Sequence, residues 1–155
     1  MAIKNATSNT PNTFNKIQKI LAEHKAQQIM FEYGDNGKIK GIGFALMIDN
    51  RLVGFKLPAR VEAVEAIFFS NKKTRYSWEK PSPLNDKEKD QAYRTAWANI
   101  RDWIDAQMAM IDTGMVKPEE VFLPYAVTKS GKTYFEAIKD NSYLLNAGAE
   151  EGEVV

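Results

Sequence analysis

The run Ile29-Met30-Phe31-Glu32-Tyr33-Gly34-Asp35-Asn36-Gly37, continued by Ile39 to Ile48, Asp49-Asn50 and Arg51 to Leu57, decides the fold. Large residues alternate along it: Ile29, Phe31 and Tyr33, then Ile42, Phe44, Leu46 and Ile48, then Val53, Phe55 and Leu57. A period of two is the mark of a strand with one buried face. Asn36-Gly37 supplies the positive φ of a tight hairpin, and Asp49-Asn50 is a second turn signal. Three short strands joined by tight turns predict an antiparallel meander. The other face of the second strand carries only Gly41, Gly43 and Ala45, a bare floor on which a helix or a ligand could pack.

Helical spacing flanks the meander on both sides. Thr13 can cap a first helix that buries Phe14, Ile17, Ile20 and Leu21, carries His24 at its edge and fades near Ala26. Pro58 suits the first turn of a second helix, with Val61, Val64, Ile67 and Phe68 inward and an end at Ser70-Asn71. The longest pattern runs from Asn85 to Thr113. Asn85 with Glu88 spells a capping box, and Gly114 stands where a left-handed C-cap belongs. Trp97, Ile100, Trp103, Ile104, Met108 and Met110 fall on its apolar arc. An amphipathic helix of about 28 residues is ~40 Å long, more than a compact domain of this size is wide. The expectation is that it bends, or that one end projects and pairs, for instance as a homodimer. Beyond it, Val121 to Val127 reads as extended and Thr133 to Asp140 as a last helix. The reading is α+β: a three-stranded antiparallel meander packed by helices. One domain would span residues 13–145, between disordered tails at 1–12 and, acidic, at 146–155.

Composition removes several classes of function. The 155 residues include no cysteine, which excludes a disulfide scaffold, a thiolate zinc site and a cysteine nucleophile. A single histidine excludes a two-histidine zinc helix, and no metal site or cofactor is expected. With 21 basic and 20 acidic residues, the net charge of +1 argues against a wholly basic nucleic-acid glove. No stretch reaches the ~18 apolar residues of a membrane span, and Met1 to Asn12 lacks the apolar run of a secretory signal. The chain is read as cytoplasmic, with no membrane partner.

Two clusters could carry binding. Lys72-Lys73-Thr74-Arg75-Tyr76-Ser77-Trp78-Glu79-Lys80 holds four cations, two aromatics and one acid. Cations draw phosphates and aromatic faces stack on unpaired bases, which is the chemistry of single-strand binding. The competing reading is a solvated loop whose Trp78 packs back onto the core. Ala126-Val127-Thr128-Lys129-Ser130-Gly131-Lys132-Thr133 fits a relaxed phosphate-loop string, with Ala126 in place of the first glycine. Its Lys132 and Thr133 would reach phosphate and magnesium, but no later strand pattern offers the magnesium-binding Asp. A plain turn is the stronger reading there. Asp102, Asp105, Glu119 and Glu120 could hold metal ions only if they converged, and His24 has no nucleophile beside it in sequence.

Four segments carry a resemblance: Lys16-Ile17-Gln18-Lys19-Ile20-Leu21, Phe55-Lys56-Leu57-Pro58-Ala59-Arg60-Val61, Ala92 to Met110 with Ile100-Arg101-Asp102-Trp103 inside it, and Glu120-Val121-Phe122-Leu123-Pro124-Tyr125. Together they resemble landmarks of small uncharacterised proteins encoded by bacteriophages and prophages, over residues 14–140. The resemblance implies an accessory protein in the cytoplasm of an infected bacterium, and it brings no catalytic residues. The first expectation is therefore a non-enzymatic protein that binds single-stranded nucleic acid through Lys72, Lys73, Arg75, Tyr76 and Trp78, helped by Lys129 and Lys132. The second is a module that inhibits or recruits a host protein of defence or replication, using the outer part of the 93–111 helix and Val121 to Tyr125. The third, weaker, is a nucleotide-binding protein using residues 126–133.

Overall fold

The computed structural model describes residues 10–141. Strands β1 (Gln28–Tyr33), β2 (Ile39–Ile48) and β3 (Arg51–Pro58) form an antiparallel sheet in the order β1-β2-β3. Phe44 lies between Ile29 and Phe55, and Ile42 between Phe31 and Leu57, so the alternating residues share one face. Asp49 and Asn50 both take positive φ, the backbone of a two-residue hairpin whose twist matches the strands. Tyr33 departs from the expected pattern. The register slips between Glu32 and Tyr33, and this bulge turns the ring out to solvent.

Helices α1 (Thr10–Glu23) and α3 (Asp86–Asp112) cover the inner face. Ile17 and Leu21 of α1 meet Ile42 and Phe44 of the sheet and Trp97, Ile104 and Met108 of α3 in one core. Thr13 is buried within α1 rather than capping it, because the helix begins three residues earlier. Residues 10–12, read as tail, are therefore helical, while 1–9 and 146–155 lie outside the described residues. Helix α2 (Val61–Ser70) packs Val64 against Ala92 and Ala96 of α3, where small residues allow close approach. Pro58 ends β3, paired with Gly41, and is not in the first turn of α2.

Helix α3 behaves at both ends as its sequence requires. Asn85 and Glu88 form a reciprocal capping box. Gly114 takes φ 76°, with Met115 N–H bonded to the Met110 carbonyl and Gly114 N–H to that of Ile111. Neither end projects alone. The first turns carry α2, and the last turn is tied to α1 through Asp112 and His24. The arc read as a homodimer surface is largely spent inside the chain, with Trp97, Ile104 and Met108 fully buried.

Past Gly114 the chain is helical where an extended segment was expected. Helix α4 (Pro118–Phe122) and a 3-10 turn (Leu123–Tyr125) precede Ala126. Pro118 starts α4, and Glu120 accepts from Lys117 N–H. A helix this short cannot stand by itself. Phe122 holds it, fully buried with ring centres of Phe44, Phe55 and Trp103 at 5.3, 5.5 and 5.7 Å. Ala126 and Val127 then bond to the edge of β3, and α5 (Tyr134–Asp140) closes the described chain. On the outer face of the sheet Met30, Met47 and Leu52 stay exposed, and the space beside Gly54 is open. The floor itself is not bare: Gly41 and Ala45 are buried and Gly43 is half-buried, with Glu32 lying beside Gly41 and Met30 beside Gly43.

Two predictions follow from how α1 ends. Lys25 takes φ 65°, and Lys25 N–H and Ala26 N–H bond back to Ala22 and Leu21. A lysine thus fills a left-handed C-cap that favours glycine. Lys25→Gly removes a strain of about 1–2 kcal/mol against a smaller entropic loss, and should raise stability by about 0.5–1 kcal/mol in a denaturant titration. His24 bonds the Ile20 carbonyl through Nδ1 and Asp112 Oδ2 through Nε2, both at 2.7 Å. Both partners only accept, so the doubly protonated ring is favoured. The Ile20 carbonyl, opposed by burial and helped by Asp112, raises its pKa above 6.5. A raised folded pKa stabilises fully below the unfolded value and is lost as pH rises through the folded one. Thermal unfolding should therefore show stability falling from mildly acidic to mildly alkaline pH, and His24→Gln should flatten that slope.

Candidate nucleic-acid interface

The loop between α2 and α3 is closed at its base by one carboxylate. Glu88 Oε1 accepts from Asn85 N–H at 3.1 Å as part of the cap of α3. The same oxygen accepts from Lys72 Nζ at 2.9 Å, and Lys72 also reaches the Pro83 carbonyl at 3.3 Å. The Lys72 ammonium, with the Asn85 N–H, holds Glu88 below the usual carboxylate range. Lys72, expected as a phosphate ligand, is thus engaged in holding the loop. Phosphate would have to displace an ion pair that also serves a helix cap.

Farther out the loop turns tightly. Thr74 Oγ1 donates to the Tyr76 carbonyl at 2.8 Å, and Glu79 N–H donates to the same oxygen at 3.1 Å. Tyr76 and Trp78 then stack on one another, ring centres 4.8 Å apart and planes 8° from parallel. The Arg75 guanidinium lies 5.5 Å from the centre of the Tyr76 ring. Trp78 is 77% exposed and Tyr76 42%. The indole does not pack back onto the core. Lys73, Arg75 and Lys80 are exposed and make no ion pair among the described residues. Of the five loop residues expected to bind, Lys73, Arg75, Tyr76 and Trp78 are open to a ligand. Lys80 joins them.

Residues 126–133 fold as a closed turn. Val127 pairs with Thr133, Thr128 N–H donates to the Lys132 carbonyl at 2.8 Å, and Gly131 N–H to the Thr128 carbonyl at 3.0 Å, with Gly131 at φ 87°. A phosphate cradle needs successive N–H groups aimed at one point. Here those of Val127, Thr128 and Gly131 are already bonded to carbonyls. Lys132 is paired with Asp140, which raises its pKa, and the Thr133 hydroxyl caps α5 by accepting from Glu136 N–H at 3.2 Å. Residues 126–133 thus form a turn, the stronger of the two readings of that string, and Lys132 is not a free cation. Lys129 stays exposed at the tip.

The other candidates resolve individually. Asp102 accepts from the neighbouring Arg101, and Glu120 is used at the start of α4. No group of three or more metal-ligating side chains occurs among the described residues. Of the surface expected for a protein partner, Phe122 is buried and Trp103, Val121 and Tyr125 pack partly on the core, while Leu123 and Pro124 remain exposed. The sequence reading missed a different apolar surface, Ile67 and Phe69 on α2, both exposed. A wheel held the signal: consecutive apolar residues from Ala66 to Phe69 cannot all face inward at ~100° per residue.

The two lysines at the start of the loop should separate cleanly. Lys72→Ala should lower the denaturant midpoint, and the loss should shrink as pH falls through the depressed Glu88 value, since a lowered carboxylate pKa stabilises only above it. Lys73→Ala should leave the midpoint unchanged. Comparison with protein-family models, with curated proteins and with solved structures finds no match, so function is read from the site itself.

Proposed function

We propose that the protein binds single-stranded nucleic acid through the loop 73–80, without catalysing a reaction. The observation that carries this reading is the exposed Tyr76–Trp78 stack with Arg75 against it. A flat, solvent-facing aromatic pair presents a face of the size of a base. Bases in a duplex already stack on each other, so unpaired ones are favoured. Lys73, Arg75 and Lys80 supply charge for the strand's phosphates. With a net charge of only +1, long-range attraction is weak, and affinity rests on local contacts. The resemblance to phage-encoded proteins supports an accessory role in the cytoplasm of an infected bacterium. No helix among the described residues is long and apolar enough to cross a membrane.

A second reading is favoured by Ile67 and Phe69. These exposed apolar side chains on α2 precede the loop directly and suit a docked protein, such as a host defence or replication factor. Capture of a host protein that survives nuclease treatment, and depends on Phe69 rather than Trp78, would favour it.

An oligonucleotide titration followed by tryptophan fluorescence tests the first reading. Quenching should saturate at low salt. Trp78→Ala should weaken binding by roughly tenfold or more, the value of ~1–3 kcal/mol per stacked base. Three phosphate contacts at ~0.7 each predict a slope of roughly −2 in log affinity against log salt. An unchanged spectrum at low salt would remove the proposal.

A further inference from the structure

We infer that a second site, separate from the loop 73–80, lies between the end of β3, the middle of α3 and the 3-10 turn, and takes a flat ring carrying a phosphate or carboxylate. The groove there has a volume of about 250 Å³. Pockets for drug-sized ligands start at ~300 Å³, so this one has room for a single ring system and one charged group. Leu57, Pro58 and Ile100 give it apolar walls, and Trp103 and Tyr125 line it with rings set edge to face, centres 5.8 Å apart. The groove's ring wall is fixed in place. Trp103 is braced by the buried Phe122, and that packing is part of the core.

The polar lining has one sign. Among the described residues Arg60 is the only charged residue that lines the groove, Asn99 is the only amide, and no carboxylate lines it. Neither side chain makes a hydrogen bond or ion pair among the described residues. The Arg60 guanidinium instead lies over the Phe135 ring, 5.9 Å from its centre. Stacking engages the flat face of a guanidinium and leaves its in-plane N–H donors available as a fork. Lys139 lies 5.8 Å from the centre of the same ring and adds a second positive charge. An apolar slot with aromatic walls and an unused two-pronged donor at its rim matches a ring at one end and an oxyanion at the other. A nucleoside monophosphate and an aromatic carboxylate share this chemistry.

The three tryptophans make the test specific, because Trp78, Trp97 and Trp103 each give one indole N–H signal in an NMR spectrum of the labelled full chain. Titration with a nucleoside monophosphate, with benzoate and with inorganic phosphate should move the Trp103 signal saturably for the ring-bearing anions and not for phosphate alone. The stronger of the two ring-bearing probes identifies the source. Trp78 should stay still, which separates this site from the strand-binding loop, where an oligonucleotide should move Trp78. Arg60→Gln should weaken binding roughly tenfold, as loss of a charge-assisted pair does. Asn99→Ala, at an exposed position, provides a second variant should the first perturb folding. No shift of Trp103 with either ring-bearing probe, or a shift undiminished in both variants, overturns the inference.

Discussion

One carboxylate oxygen sets the shape of the proposed binding surface. Glu88 Oε1 serves the Asn85 N–H and the Lys72 ammonium together. The first contact starts the longest helix of the chain. The second draws the first residues of the preceding loop back onto that start. A loop pinned at its base in this way must place its middle residues outward, and those residues are Arg75, Tyr76 and Trp78. Loss of either contact leaves a helix start with an unsatisfied donor or a loop free to collapse. Each outcome would bury or scatter the rings.

The interaction depends in turn on α3 being held along its length. Its first turns rest on α2 through Ala92 and Ala96, its middle on the sheet and α1 through Trp97 and Ile104, and its last turn on α1 through Met108 and the His24–Asp112 pair. Phe14 meets Trp97 near one end of α1 and His24 meets Asp112 at the other, so the two helices run side by side in the same direction. Phe122 fastens the short C-terminal elements to the same core. The frame under the loop is therefore continuous, and exposed aromatics can be kept without unfolding what lies beneath them.

The sheet and the long helix were legible because their signals are local and redundant. Alternation, Asn36-Gly37 and Asp49-Asn50 all pointed to one meander, and Asn85, Glu88 and Gly114 marked both ends of α3. Elements decided by distant contacts were misread. Tyr33 is turned by a bulge, Pro58 belongs to a strand that continues because Gly41 pairs with it, and α4 exists because Phe122 finds a socket formed by residues far away in sequence. At the candidate site, residue types were visible and partners were not. Nothing in Lys72-Lys73 distinguishes the lysine that reaches Glu88 from the one that remains free, and nothing in Lys132 foretells Asp140. The groove lined by Arg60, Asn99 and Trp103 joins residues from separate elements and leaves no pattern along the chain.

The account turns on unpaired bases lying against the Tyr76–Trp78 stack. Ultraviolet crosslinking of the full chain to an oligothymidine at low salt, followed by peptide mapping of the adduct, tests it directly. The adduct should map to residues 73–80, with the joined residue Tyr76 or Trp78. An adduct confined to other peptides, or no adduct under conditions that crosslink a known single-strand binder, would contradict the account.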